Sequence, residues 1–183
     1  MGNHCLMLNQ LFGSREILQF EVGPKEPENA SMRRVDIYAL NLHVTEKDNH
    51  VYVPNFMFRL DRTLVSFRKK TRLEQRPDVF GELGPKDIHL IFTEDSDEHS
   101  DMQDLSSLYE FLHFGDITLD VWSYLIPAQG RLYLSCEIRG HQKNTTPRDI
   151  HVAEVHAEAL SQAMADTLAL VASEYDGDKS FLS

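Results

Sequence analysis

The sequence predicts an α+β fold: a mainly antiparallel β-sheet with two to three helices packed on one face. Three observations carry this expectation. In several segments apolar residues alternate with polar ones at period two, as half-buried strands require. In others the apolar residues fall three and four apart, as on a helix that buries one stripe. The two kinds of segment come grouped, in the order strands, helix, strand, helix, hairpin, strand, helix, and such grouping points to α+β architecture. At 183 residues the chain suits one domain over 1–183, with 1–13 and 175–183 as candidate disordered ends.

The first predicted strand is Ile17 to Val22, with Leu18, Phe20 and Val22 on one face. Gly23 to Met32, rich in Pro, Glu, Asn and Ser, reads as a loop. Val35 to Val44 predicts a second strand, apolar on both faces for part of its length, as a central strand would be. Lys47 to His50 reads as a turn into a short strand, Val51 to Val53. Pro54 marks the change to a helix whose stripe is Phe56, Leu60, Leu64 and Phe67. Gly81 to Pro85 breaks the chain before a predicted strand, Asp87 to Phe92.

An acidic loop, Glu94 to Ser100, leads into a short helix with Asp101 or Asp104 as its cap. That helix should bury Leu105, Leu108, Phe111 and Leu112 and end at Gly115 in a left-handed conformation. The clearest local expectation is a hairpin. Ile117, Leu119, Val121 and Leu125 alternate with Thr118, Asp120, Trp122 and Tyr124. After the Pro127–Gly130 turn, Leu132, Leu134, Cys136 and Ile138 alternate with Tyr133, Ser135, Glu137 and Arg139. Both strands have one apolar face, which suits a sheet covered on one side. Gly140 to Pro147 reads as a polar loop and Ile150 to Val155 as one more strand. A last helix, His156 to Ser173, should bury Leu160, Met164, Leu168 and Val171.

Charge is the most localised feature. From Asp87 to Gly130 the chain has no Lys or Arg, and its ten carboxylates account for −10 of the net −11. A block of one sign focuses potential and steers a basic partner on encounter; a solvated acidic face is the plain alternative. Binding along a nucleic-acid backbone is not expected, because phosphate contacts need clustered Lys and Arg. The basic cluster from Arg59 to Arg76 reads as the wet face of a helix that pairs with the acidic half.

Two cysteines, Cys5 and Cys136, make no disulfide framework, and Cys136 sits in a strand pattern as a small core residue. No run approaches the length of a membrane span, and no secretory core is present. Met1 to Leu6 begins like an acylation site but puts Leu6 where Ser or Thr is needed. The cytoplasm is the expected location.

Motifs for chemistry are missing. His151 and His156 are five apart, the wrong spacing for a shared metal on a helix and opposite faces on a strand. A calcium loop counted from Asp95 fails at Ser100 and Ser106, where Gly and Glu are required. Gly81 to Lys86 lacks the spacing of a phosphate loop, and neither Cys has the setting of a catalytic thiol. No catalytic residue, cofactor or metal is expected. The better lead is aromatic: Trp122 and Tyr124 share a strand face with Asp120, and aromatics among acids suit a surface for a basic protein. A helix covering that face would instead make them core.

The chain resembles the small immunity proteins that bacteria make against their own polymorphic or contact-dependent growth inhibition toxins. The resemblance rests on Leu11-Phe12-Gly13 before the first strand, and on the strand pair followed by the helix around Leu60 to Phe67. It continues with Phe114-Gly115-Asp116, Asp120-Val121-Trp122, Arg131-Leu132-Tyr133-Leu134 and the closing helix. It implies a non-enzymatic inhibitor that binds and neutralises a cognate toxin domain, and no catalytic residues. The expected partner surface is Glu94, Asp95, Asp97, Glu98, Asp101, Asp104, Asp120, Trp122 and Tyr124, facing a basic toxin domain rather than nucleic acid or membrane. Two other classes fit the same residues. One is an acidic DNA-mimic or anti-defence inhibitor. The other is an enzyme or ligand-binding module whose site forms only in three dimensions, around His43, His89 or His151.

Overall fold

A computed structural model of the protein describes residues 8–69, 73–94, 100–139 and 148–183. It is an α+β fold with two antiparallel sheets. The first sheet holds β1 (Gln10–Ser14), β2 (Leu18–Val22), β3 (Met32–Ala39) and β4 (Leu42–His43) in that order. A short strand, β5 (His50–Tyr52), pairs with the opening residues of β3. The second sheet is β6 (Val121–Ala128), β7 (Arg131–Ile138) and β8 (His151–Glu154), again in chain order. Around them lie α1 (Val53–Arg68), α2 (Pro77–Phe80), α3 (Pro85–Thr93), α4 (Ser100–Gln103), α5 (Ser106–Tyr109) and α6 (Ala157–Glu174).

Strand parity builds the main core. Leu18, Phe20 and Val22 of β2 and Val35, Ile37 and Ala39 of β3 are all buried on one face of the first sheet. They pack with Phe56, Met57 and Leu60 of α1 and Leu160, Met164 and Val171 of α6. Leu125, Leu134 and Cys136 reach the same cluster from the second sheet. At its centre the rings of Phe20, Phe56 and Phe114 meet edge to face, with centroids 5.8 to 6.3 Å apart. Such pairs add to plain area burial because ring edges are positive and ring faces negative.

A second, smaller core lies on the opposite face of the second sheet. There Tyr124, Ile126 and Ala128 of β6 meet Phe80, Ile88, Phe92 and Tyr109 from the helices. The hairpin sheet is therefore covered on both faces, not on the one face that its alternation suggests. Thr118, Asp120, Trp122 and Tyr124 read as the less apolar face, yet α3 packs on the side of the sheet that holds Tyr124.

Four further differences have local causes. The expected strand from Asp87 to Phe92 is α3: Pro85 occupies its first turn and Asp87 lies among the free N–H groups, both helix-starting features. So short an apolar run fits either period, and covering the sheet decides it. The expected strand from Val35 to Val44 folds back at Leu40 and Asn41, whose φ values of 52° and 64° suit a tight hairpin turn. Leu40 N–H donates to the Ile17 carbonyl and Asn41 N–H to the Arg15 carbonyl, so the β1–β2 turn holds the β3–β4 turn. The helix expected after Asp101 is two single turns, α4 and α5, and leaves Leu108 42% exposed. Beyond them Gly115, at φ 90°, leads into a short 3-10 turn, Asp116–Thr118, so the β6 strand starts later than Ile117.

The chain ends are also structured where they are described. β1 pairs along its whole length with β2, and Phe181 and Leu182 pack against the main core. The Ser183 hydroxyl donates to the buried Asp61 carboxylate at 2.5 Å. Arg62 lies over Phe58 and Arg76 pairs with Asp78, so these two bases do not reach the acidic stretch; Lys70 and Arg72 lie outside the described residues.

Replacing Phe20 with alanine removes the ring shared by both other members of the aromatic triangle. Unfolding in urea should show a loss of about 3 to 5 kcal/mol, the usual cost of a fully buried Phe. A loss under about 1 kcal/mol would mean that this triangle is not the packed centre.

Candidate functional site

The site follows from the β6–β7 register. Trp122 pairs with Glu137, Tyr124 with Ser135 and Ile126 with Tyr133, so all six project to the α3 side of the sheet. Along that face the residues change from apolar to polar. Ile126 and Ala128 sit under α2 and α5, whereas Trp122 and Glu137 lie at the end where α3 finishes. There a cleft of about 510 Å³ opens, bordered by Thr93 and Glu94, by Gln103 and Glu110, and by Leu119 and Trp122.

The chain from Glu110 to Leu112 forms one margin of this cleft. Glu110 makes a single antiparallel bridge to Tyr124, and Phe111 N–H donates to the Ser123 carbonyl at 2.7 Å, extending the sheet by a fragment. Leu112 then adopts φ 59° while 1% exposed. A bulky residue in the left-handed region is held there only by its surroundings. In this case they are the aromatic main core on one side and the cleft on the other.

The expected partner residues separate into four groups. Glu94 lines the cleft, and Asp101 and Asp104 are exposed on and beside α4. Asp95, Asp97 and Glu98 lie outside the described residues. Asp120 does not line the cleft; its carboxylate takes a 2.6 Å bond from Lys47. Tyr124 is corrected: it is 6% exposed, packed against Phe92 and His89 in the second core, and so is no surface anchor. Burial also pushes its hydroxyl up to about 12, with the Glu110 charge adding to the effect.

Trp122 is half-buried and borders the cleft, but its ring is already occupied. The Arg139 guanidinium lies 4.2 Å from the ring centroid and that of Arg148 5.9 Å. Both distances suit cation–π attraction. The ring therefore presents its exposed part, not a bare face. Sequence reading misses Glu110 and Thr93, which line the cleft, and Arg148, which bonds to Thr93. They come from different segments, and only the register and the α3 packing bring them together.

Beneath the cleft lies a buried polar group. His89 of α3 is fully buried, its Nδ1 2.8 Å from Ser135 Oγ and its Nε2 3.5 Å from a Glu137 oxygen. The second distance is too long for a good hydrogen bond. Burial lowers the His89 pKa to about 4 even though Glu137 pulls it upward. For Glu137, burial pushes the pKa up, but the Arg148 fork outweighs it and holds the carboxyl below its ordinary range.

Ser135, His89 and Glu137 have the residue types of a hydrolytic triad. Ser135 and His89 are both 0% exposed, so no substrate reaches the hydroxyl. The arrangement serves instead to fasten α3 to β7. Cys136 is equally sealed: it is fully buried, and burial pushes its thiol up to about 12. His43 is engaged elsewhere, stacked on Tyr38 and 3.0 Å from Asp36. Among the described residues no group of three or more His, Cys, Asp or Glu could hold a metal ion. No helix among them is long and apolar enough to cross a membrane.

Two measurements probe this arrangement. An imidazole in the unfolded chain titrates near 6.5, whereas folded His89 titrates at about 4. The unfolded state thus takes the proton first. Stability is fully present above pH 6.5 and falls as pH drops toward 4, by up to roughly 1.4 kcal/mol per pH unit. Glu137 contributes in the opposite region, losing its share only below the ordinary carboxylate range. Urea unfolding between pH 7 and 5 should show that slope, and His89→Gln should remove it. In a Cys5→Ser variant, Cys136 should react with an aromatic disulfide reagent only as the protein unfolds; rapid labelling of native protein would contradict its burial.

Comparison of the chain with protein-family models, with curated proteins and with solved structures finds no match.

Proposed function

We propose that the protein is a non-enzymatic immunity protein that binds and neutralises a cognate, basic toxin domain through the acidic cleft beside Trp122. One observation carries the reading. The cleft is bordered by Glu94 and Glu110, and among the described residues no Lys or Arg lines it. Asp101 and Asp104 are exposed close by in sequence, within 44 residues that lack Lys and Arg. A carboxylate-lined opening of this kind raises the encounter rate with a basic surface.

Charge alone rarely supplies affinity; a desolvated apolar contact does. Leu119, 67% exposed at the margin, and the open part of Trp122 offer that contact inside the acidic rim. The resemblance to toxin-immunity proteins supports the same class of partner. The reading places the protein in the cytoplasm, where a chain with two cysteines and no disulfide framework is at home.

Co-expression with the neighbouring upstream gene, followed by mass spectrometry, should recover a basic domain at equal stoichiometry. Against that domain, the combined change Glu94→Gln, Asp101→Asn, Asp104→Asn and Glu110→Gln should slow association at least tenfold at low salt and far less at high salt. Unchanged association at low salt would remove these carboxylates from the interface. Recovery of a DNA-binding protein in place of a toxin would point to an acidic DNA mimic.

A further inference from the structure

The two walls of the cleft come from distant parts of the chain, Thr93 at the end of α3 and Trp122 near the start of β6. A side chain that lines neither wall touches both. Arg148 is not among the residues that line the cleft, and its side chain is 22% exposed. Its Nε donates to one oxygen of Glu137 at 3.0 Å, and one terminal nitrogen donates to the other oxygen. That same nitrogen donates to Thr93 Oγ1 at 2.6 Å, while the guanidinium carbon is 5.9 Å from the Trp122 centroid.

We propose that Arg148 is a positioning residue, a latch that sets the width of the cleft by holding the Thr93 and Trp122 walls at a fixed separation. Its bearing on partner binding rests on the function proposed above; the latch itself does not. Three features make the assignment. Glu137 is the cross-strand partner of Trp122, so a fork seated on Glu137 is fixed relative to the ring. Thr93 passes the connection into the helix, because its hydroxyl donates to the His89 carbonyl at 2.8 Å. Only a planar guanidinium can grip both carboxylate oxygens and still reach the hydroxyl. Lysine could neutralise Glu137 but not span the gap. Arg139, the other cation over the ring, follows β7 on the same strand as Glu137 and comes from the sheet side alone.

Trp122 is the only tryptophan of the chain, so its fluorescence reports this wall directly. The test compares emission maximum and acrylamide quenching of the free protein for wild type, Arg148→Lys, Thr93→Val, Thr93→Ser and the double variant Arg148→Lys with Thr93→Val. The latch predicts a red shift and stronger quenching in Arg148→Lys and in Thr93→Val. It predicts wild-type behaviour in Thr93→Ser, which keeps the hydroxyl, and a double variant no worse than either single. Unchanged quenching in Thr93→Val, or effects that add as at independent sites, would overturn it. If Arg148→Lys does not fold, the Thr93→Val and Thr93→Ser pair decides alone, since Glu137 then keeps its fork. No partner is needed, so failure to recover a toxin leaves the result standing, and failure of the latch leaves the partner reading intact.

Discussion

The structure depends on burying both faces of a three-stranded sheet. Leu125, Leu134 and Cys136 point into the main core, while Tyr124 and Ile126 point the other way into the smaller one. A hairpin with a single covered face could stand alone beside the first sheet and its helices. A hairpin covered twice needs a lid, and α3 is that lid. The requirement determines where α3 runs, where it stops and what lies exposed past its last turn. The cleft is the unfilled remainder: α3 ends at Thr93, but β6 and β7 continue to Trp122 and Glu137.

Burial of that face brings polar side chains with it, and their satisfaction explains the residues around the cleft. Glu137 is 5% exposed, and an unpaired carboxylate there would be costly. Arg148 neutralises it with a fork and in doing so acquires contacts to Thr93 and Trp122. His89 takes the other solution and stays neutral. Two ionisable groups a few ångströms apart thus reach opposite states, one charged and paired, one uncharged. The buried charges beneath the cleft are thus settled within the fold.

The acidic rim and the pair of guanidiniums on Trp122 divide the electrostatics in depth. Two guanidiniums lie against the Trp122 ring, whereas Glu94 and Glu110 border the opening. In the proposed function, the carboxylates act on encounter with a basic surface and the exposed Leu119 supplies apolar contact. This ordering suits a binding protein in which charge governs encounter and apolar contact governs residence.

Much of the fold was legible from local pattern. The strand Leu18–Val22, the β7 alternation, and the stripes of α1 and α6 each repeat over several turns or pleats, so their period identifies them without reference to anything distant. The acid block was legible for the same reason, being a property of adjacent residues. What failed were the segments whose local signal was short or divided. Six residues from Asp87 to Phe92 carry apolar groups at too many positions to select a period, and the bare face of the second sheet makes them a helix. Leu40 and Asn41 turn a seeming strand into a hairpin because the carbonyls of Arg15 and Ile17 receive their N–H groups. Whether Trp122 and Tyr124 were surface or core could not be read from a strand that alternates either way. That depended on which element lay across them, as did the meeting of Glu94, Glu110 and Trp122 around one opening. By itself the sequence determined periods, charge and the inward faces of the long elements, since these are set by neighbours along the chain. Tertiary structure alone decided the cleft, because its walls are held together by contacts between residues that are strangers in sequence.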